Sequence, residues 1–406
     1  MDILKNKLKR RVVFCFGTRP EAIKMAMVIR FFLSKKDEYE VFTLSTGQHR
    51  EMLKQVIDLF QIKIDFDLDV MKENQDLTLL TSSILEKTTD VFKQIRPDYV
   101  FVQGDTTTAM VCSVAAFYQR IKISHIEAGL RSFDLTSPWP EEGNRKIIGT
   151  MANFHFCPTS ISFTNLMNEN IEKNVFITGN TVVDALFYTV NLIKTNSTLK
   201  YELEKRYPRL AEKRIIVTLH RRESHGEKMK NVLRSIKRIA MNSSFSVEVY
   251  FPVHLNPNVK GLVYDFLSGI DNIKLLNPLG YLDFTYLLST SNLAISDSGG
   301  VQEEAPTLGV PVLVTRDTTE RLEGVQANVV ELLGTDEERI YERGMYYLQH
   351  EMKDIIKERS IILYGDGSAS EKIEKVIFQE GEKKSDKQEN TKINKESSLF
   401  PRSFSM

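Results

Sequence analysis

The sequence predicts an α/β protein made of two doubly wound domains facing each other across a cleft. Short apolar, β-branched runs alternate with helical periodicity along most of the chain. The alternation pauses once, over residues 183–213, and then restarts. The length, 406 residues, also exceeds the size at which one hydrophobic core normally stops growing.

The elements follow in order. Residues 11–16 read as a strand, stopped by Gly17-Thr18-Arg19-Pro20, and 21–33 as a helix whose first turn suits Pro20. A strand at 41–45 and a helix at 51–60 come next. Leu77–Ile95 is a longer helix, closed by Arg96-Pro97. A strand at 99–102, a helix at Thr107–Tyr118 and a strand at 121–125 follow. Phe154–Cys157 and 175–178 are further strands, with 160–170 helical between them. Residues 183–213 read as polar, helical and free of strands, which places the domain connection there. Strands then recur at 215–219, 246–251, Ile273–Leu276, Leu293–Ser296 and 310–315, with helices between. The expected domains are 1–182 and 183–364, followed by a helix at 365–380 that packs back on the first domain. The tail, 381–406, is rich in Lys, Glu, Ser and Asn without periodicity and is expected to be disordered.

Composition narrows the function classes. Lys+Arg and Asp+Glu both number 54, so no basic excess points to nucleic acid. No apolar run is long enough to span a membrane. The basic opening MDILKNKLKRR leads into VVFCF, which is too short for a signal-peptide core, so a cytoplasmic protein without membrane insertion is expected. Cys15, Cys112 and Cys157 are odd in number, widely spaced and set among apolar residues, which reads as buried free thiols. There is no His/Cys cluster at metal spacing, no GxGxxG after the first strand and no Walker lysine. A metal, a nicotinamide cofactor and P-loop chemistry are therefore not expected.

The polar residues that could carry chemistry sit where strands stop. Asp297-Ser298-Gly299-Gly300 breaks the strand at Leu293–Ser296 and opens a helix. A strand–glycine turn–helix unit offers free N–H groups and the positive end of a helix dipole, so it suits a phosphate; a tight turn that binds nothing is the plainer reading. Arg19, with Lys24 one turn on, is placed for a second phosphate contact or for an ordinary turn. Asp105 follows the strand at 99–102 and fits either an acid–base group or the N-cap of the next helix. Glu127 lies in His125-Ile126-Glu127-Ala128-Gly129-Leu130-Arg131, a carboxylate beside Gly and Arg at a strand end. Glu141 and Glu142 follow Pro138-Trp139-Pro140, a stiff loop able to hold Glu141 in place; both also suit the first turn of a helix. His220 ends the strand at 215–219 and reads as a ligand contact, an acid–base group or a satisfied structural histidine. Glu304, near the start of the glycine-turn helix, and Arg321, past the strand at 310–315, complete the set. Carboxylates from one domain facing a phosphate turn in the other suit an enzyme that holds a diphosphate and moves a proton.

These motifs, taken in order, resemble the bacterial non-hydrolysing UDP-N-acetylglucosamine 2-epimerases. The resemblance rests on FGTRPEAIKMA, TGQHREML, GDTTT, HIEAGLR, SPWPEEGNR, ITGNTVVDAL, HRRES, PVHLNPNV, SDSGGVQEEAP and RDTTER. It implies two Rossmann-like domains in the GT-B arrangement and the interconversion of UDP-GlcNAc and UDP-ManNAc without cofactor or metal, by a homodimer. It further implies loss of the sugar carbon-2 proton with expulsion of UDP, then re-addition of UDP. In this sequence the implied acid–base and catalytic-site residues are Asp105, Glu127, Glu141 and His220. The implied UDP contacts are Arg19, Lys24, Phe284, Ser298, Gly299, Gly300, Glu304 and Arg321. A second, regulatory substrate site is implied around Gln48, His49, Arg50, Glu51 and Arg222; capping of the helix that leads into Met52 and Leu53 is the plainer reading of 48–51. The chain departs from the family at three places. Gln103 stands where His is usual, Leu219 where a small residue is usual, and Arg321-Leu322-Glu323-Gly324 where Arg-Pro-Glu-Ala is usual. Crowding of His220 by Leu219 is the expected consequence of the second.

Overall fold

The computed structural model describes residues 9–47, 50–71, 75–221, 226–242 and 244–382, with the side chains of residues 50–52 outside that description. Seven parallel strands form the first sheet, in the order β3-β2-β1-β4-β5-β6-β7. They are β1 Arg10–Phe16, β2 Tyr39–Ser45, β3 Phe66–Asp67, β4 Tyr99–Gln103, β5 Lys122–Ile126, β6 Phe154–Cys157 and β7 Val175–Ile177. Six parallel strands form the second, in the order β10-β9-β8-β11-β12-β13. They are β8 Lys213–Thr218, β9 Val247–Pro252, β10 Ile273–Leu276, β11 Leu293–Ser296, β12 Val312–Val314 and β13 Val330–Leu332. The order reverses between β1 and β4 and again between β8 and β11. Crevices at such switch points, beyond the carboxyl ends of the strands, are where doubly wound sheets bind ligands.

The sheets form because their strands are apolar on both faces. In β1, Val12, Val13, Phe14, Cys15 and Phe16 are all fully buried, as a parallel strand covered by helices on both sides requires. Phe14 stacks on Phe101 of β4 with ring centroids 4.5 Å apart, and Phe32 meets both rings edge-on. Phe32 belongs to α1 (Arg19–Ser34). Truncating Phe101 to Ala would cost about 3–5 kcal/mol, because two rings, Phe14 and Phe32, lose a close neighbour at once.

The strand-free stretch proves to be two different helices. α7 (Thr181–Thr195) buries Val182, Val183, Ala185, Leu186 and Ile193, so it is a core element and not a polar linker. It packs against α1 on one side and against α11 (Tyr281–Thr290) and α12 (Gly299–Thr307) on the other. Only α8 (Ser197–Arg206) is polar, with Leu203 its one buried residue. One apolar cluster accordingly runs from Val12 through Val182 to Val301 and joins the two halves. After α15 (Lys353–Tyr364), the helix at 369–382, α16, docks on the first sheet. Ile373 and Ile377 are buried, Tyr39 donates to Glu374 at 2.9 Å and Lys122 pairs with Glu380 at 2.8 Å. The carboxylate of Asp184 on α7 accepts the N–H groups of Ala369 and Ser370, which fixes the start of α16.

The three cysteines are buried and unpaired. Among the described residues no helix is long and apolar enough to cross a membrane, and no group of three His, Cys, Asp or Glu is placed to hold a metal.

Candidate active site

The loops after β1, β4 and β5 meet at the first switch point. Glu21, on the first turn of α1, accepts the N–H groups of Gly17 and Thr18 at 3.0 and 2.7 Å and the hydroxyl of Thr106 at 2.6 Å. This carboxylate thus ties the β1 loop to the β4 loop. Gly17 is required by the close approach: a Cβ there would stand 2.2 Å from the Thr46 hydroxyl. The N-cap of α4 (Thr107–Tyr118) is Thr106, whose side chain accepts the N–H of Ala109. Asp105 is therefore not the cap, which removes its plainer reading.

Asp105 is gripped from α5 (Glu141–Met151). Arg145 pairs with its carboxylate, and Asn144 donates to its carbonyl at 2.8 Å. Arg145 is itself anchored to the fully buried Glu142 at 2.9 Å. Glu142 also accepts the N–H groups of Ser132 and Phe133 at 3.0 and 3.2 Å. It is structural, whereas its neighbour Glu141 lines the cleft and carries a buried Oε2 with no hydrogen-bond partner among the described residues. The stiff loop ahead of α5 contributes Pro138 to the cleft wall, while Trp139 stands exposed.

Glu127 follows β5 with φ at +64°, a left-handed conformation that only a well-packed surrounding holds for a non-glycine residue. Gln103 donates to its Oε2 at 2.7 Å, and Lys24 from α1 pairs with the same oxygen. Burial holds the Glu127 carboxyl above the usual range, against the pull of Lys24 and Arg321. Gln103 thus acts as a neutral donor to the Glu127 carboxylate. The conspicuous His125 is a structural residue. Its Nε2 bonds the Gly104 carbonyl at 2.8 Å, and burial pushes its pKa down to about 3, so it is neutral.

The second domain brings its own switch-point loops opposite. α12 begins at Gly299, with Ser298 as an N-cap whose side chain makes no capping bond. A Cβ on Gly299 would fall 2.5 Å from Nη1 of Arg321, so the guanidinium lies directly against the glycine turn. Arg321 donates from Nε to Glu303 Oε1 at 2.8 Å and from Nη1 to Glu320 at 2.5 Å. Burial alone would raise the Glu320 carboxyl, but Arg321 and Arg316 bring it down to about 2.

His220 extends from the end of β8 toward the same turn. Its Nδ1 lies 2.9 Å from Oδ1 of Asp297, and its side chain is 40% exposed. Leu219 does not crowd it. The leucine turns the other way into the second-domain core, as alternation along an extended segment dictates.

One cleft of about 250 Å³ gathers much of this set: Lys24, Asp105, Glu127, Glu141, Gly299 and Arg321 all line it. A second group lies along the same seam, outside that lining. Arg19 donates from Nη1 to the Leu279 carbonyl at 3.0 Å, first domain to second. The Arg19 charge also faces Glu304 and Tyr281. Glu304 is buried, and that burial lifts its pKa to about 7. Phe284, on α11 with Tyr281, packs against the apolar cluster shared by the two halves. Ser298, Gly300 and His220 flank the cleft on the second-domain side. Gln48, His49 and Arg222 lie outside the described residues, and Arg50 and Glu51 open α2 (Arg50–Phe60) with their side chains outside the description.

Residues to which the sequence reading gave no individual role are Glu303, Asp297, Asn144 and Arg145. Each stands one to four positions from a residue it did name, inside the same motif, and only the fold distinguishes the neighbours.

Comparison with known proteins places the chain in a family. The family model described as UDP-N-acetylglucosamine 2-epimerase matches residues 32–378. A UDP-N-acetylglucosamine 2-epimerase of Campylobacter jejuni is 45% identical over 375 residues, 91% of this chain and 97% of that protein. The enzyme of the same name from Escherichia coli K12 is 46% identical over 366 residues, 89% of this chain and 97% of its own. The crystal structure of the Neisseria meningitidis UDP-GlcNAc 2-epimerase bound to UDP-GlcNAc superposes with a TM-score of 0.83 at 45% identity, covering 92% of this chain and all of that one. A family model spanning most of the chain, and relatives matched over nearly their whole length, mean that this protein belongs to the UDP-N-acetylglucosamine 2-epimerase family.

Proposed function

We propose that the protein interconverts UDP-GlcNAc and UDP-ManNAc by the non-hydrolysing route. The observation that carries this is the meeting of two switch points. Asp105, Glu127 and Glu141 face the Gly299 turn and Arg321 across one small cleft. A carboxylate takes the proton from sugar carbon 2 while the bond from carbon 1 to the diphosphate oxygen breaks. The electron pair of that bond leaves with UDP, and 2-acetamidoglucal remains. UDP then attacks carbon 1, and carbon 2 is protonated from the opposite face. Two faces must be served, so at least two acid–base groups are needed.

Each part of the cleft has a task in this scheme. A carboxylate of ordinary pKa is a weak base, and burial beside like charge strengthens Glu127. The α12 N-terminus and Arg321 are placed to hold the charge that develops on departing UDP. Arg19, Phe284 and Glu304 suit the nucleoside end, where Glu304 accepts from ribose hydroxyls. The product supplies ManNAc-type sugars for cell-surface polysaccharide, and the protein works in the cytoplasm as a homodimer. Exposed apolar side chains such as Leu79, Phe117 and Tyr118 on the first domain support self-association.

Incubation with UDP-GlcNAc in deuterium oxide tests the reading. UDP-ManNAc carrying deuterium at carbon 2 is expected, with UDP and free sugar only as traces. Stoichiometric free ManNAc and UDP in the phosphorus and proton spectra would identify a hydrolysing enzyme instead. Product that kept its original hydrogen would rule out elimination. Binding of UDP-GlcNAc with no turnover would mark a silent sugar-nucleotide-binding protein.

A further inference from the structure

We infer that Glu303, carried by the second domain, is a positioning residue for the Lys24–Glu127 pair of the first; the inference rests on the epimerase reading above. Glu303 is almost fully buried on α12. Its Oε1 accepts from Arg321 Nε at 2.8 Å. Its Oε2 stands 3.3 Å from Lys24 Nζ and has no hydrogen bond of good geometry among the described residues. Lys24 in turn pairs with Glu127. One ammonium is therefore shared by two buried carboxylates that arrive from opposite domains.

This arrangement has an electrostatic consequence. The charged or titratable neighbours that bear on Glu127 are Lys24 on α1, Glu303 on α12 and Arg321 after β12. Gln103 at the end of β4 is a neutral donor. Glu21, Asp105, Glu141, Arg145, Arg221 and Glu320 line the same cleft. Burial disfavours the ionised form of both shared carboxylates, but their surroundings divide them. Arg321 and then Lys24 keep Glu303 below the usual carboxylate range. Glu127 is held above it by burial, with the Glu303 charge adding to that effect. Glu303 thus keeps the negative charge and Glu127 exchanges the proton, the division of labour that paired carboxylates adopt when their environments differ.

Because Glu303 rides on the second domain, this influence exists only while the domains meet. Separation would remove the like charge and leave Lys24 wholly to Glu127, which would weaken it as a base. Closure over a substrate restores the shared arrangement, so full basicity develops only in a cleft from which water is excluded.

The test is the pH profile of kcat/KM for the full-length wild-type protein, Glu303→Gln and Glu303→Asp. Gln keeps an acceptor for Arg321, so UDP affinity measured by calorimetry should stay within about threefold, while kcat falls about twofold or more as the base weakens. The limb of the profile set by Glu127 should move to lower pH by about half a unit or more in Glu303→Gln, since removing a nearby like charge favours ionisation. Glu303→Asp, with the carboxylate drawn back by one methylene, should fall between. A merely structural Glu303 would lower stability or UDP affinity without moving the limb. A folded Glu303→Gln with the wild-type limb overturns the inference. Should that variant not fold, a wild-type limb in Glu303→Asp does the same. A wild-type protein that never turns over UDP-GlcNAc would overturn the epimerase reading and this inference together. Turnover with coincident limbs overturns this inference alone.

Discussion

The Nδ1 of His220 lies 2.9 Å from Oδ1 of Asp297, a side chain with no exposure to solvent. Oδ2 of the same carboxylate accepts the backbone N–H groups of His220 and Arg221, each at 2.8 Å. Burial alone would raise the Asp297 carboxyl, but the His220 contact and these N–H groups hold it below the usual range. Asp297 thereby fixes the histidine and joins the end of β8 to the turn that opens α12. Asp297→Asn should cut turnover at least about tenfold by releasing the ring, and cost about 1–3 kcal/mol of stability at neutral pH. A depressed folded-state pKa contributes stability above the unfolded-state value and loses it as pH falls through the folded one. The stability gap between wild type and variant should therefore close on acidification below about pH 4. Urea midpoints at pH 7 and pH 3 report it, and a gap independent of pH would contradict the assignment.

Asp105→Asn, Glu127→Gln and Glu141→Gln should each lower turnover by about a hundredfold or more, the usual loss on removing a general acid or base. Their structural costs should differ. Asp105→Asn breaks a pair with Arg145, while Glu141→Gln alters a carboxylate whose Oε2 has no hydrogen-bond partner among the described residues. Glu141→Gln should therefore melt at the wild-type temperature. Two variants of the three with near-normal turnover would show that the acid–base assignment is wrong.

The two glycines of the α12 turn should respond differently to substitution. A Cβ at Gly299 would fall 2.5 Å from Arg321, so Gly299→Ala must displace the guanidinium. A Cβ at Gly300 meets no atom closer than the Ser298 hydroxyl at 4.0 Å. Gly300→Val should fold normally, with the branched side chain standing where a diphosphate would approach the backbone. Calorimetry with UDP should show loss of binding in a variant of unchanged thermal stability. Wild-type affinity in Gly300→Val would refute the phosphate turn.

Started from pure UDP-ManNAc, the reaction should show a lag that a trace of UDP-GlcNAc removes. The expectation rests on the resemblance of Gln48, His49, Arg50, Glu51 and Arg222 to a second substrate site. A ligand touching both domains favours the closed state by its differential affinity for it. Arg19 with the Leu279 carbonyl and Lys24 with Glu303 are polar contacts between the two domains, which a change in their separation would alter. Immediate hyperbolic turnover of UDP-ManNAc alone would remove the regulatory site and leave the epimerase assignment standing.

Much of this architecture was legible because parallel strands buried on both faces are continuous apolar runs. Leu77–Ile95, Thr107–Tyr118, Phe154–Cys157, Ile273–Leu276 and Leu293–Ser296 occur in the fold as read. The strands that escaped notice, Phe66–Asp67 and Val330–Leu332, are two and three residues long and carry no period. The 183–213 stretch is helical as read, but α7 is not polar: its apolar face is buried and serves both domains. At the site, polar residues at strand ends were found because a strand end is a local feature. Their partners were not, since whether Glu303 or Glu304 meets Lys24 depends on which face of α12 turns to the other domain. Thr106 rather than Asp105 caps α4 for a similar reason: a shift of one residue decides which side chain meets the N–H of Ala109 and which enters the cleft.

Glu304 offers a prediction in which stability and binding move in opposite directions. Burial raises its pKa to about 7, and the charge on Glu303 adds to this, while Tyr281, Lys24 and Arg19 oppose it. The folded protein therefore holds a proton that the unfolded chain releases between about pH 4.5 and pH 7. Stability from this group is complete at low pH and declines across that window. Above it, the buried carboxylate costs on the order of 3 kcal/mol relative to a neutral isostere. Glu304→Gln should consequently melt higher than wild type at pH 8 and match it near pH 4. Gln keeps one acceptor but not the charge or the second oxygen offered to ribose hydroxyls, so UDP affinity should fall about tenfold. Scanning calorimetry at the two pH values and a UDP titration measure both effects. A variant no more stable at pH 8 would mean that Glu304 is comfortably ionised in the free protein. Greater stability with unchanged UDP affinity would leave the carboxylate without its nucleoside role.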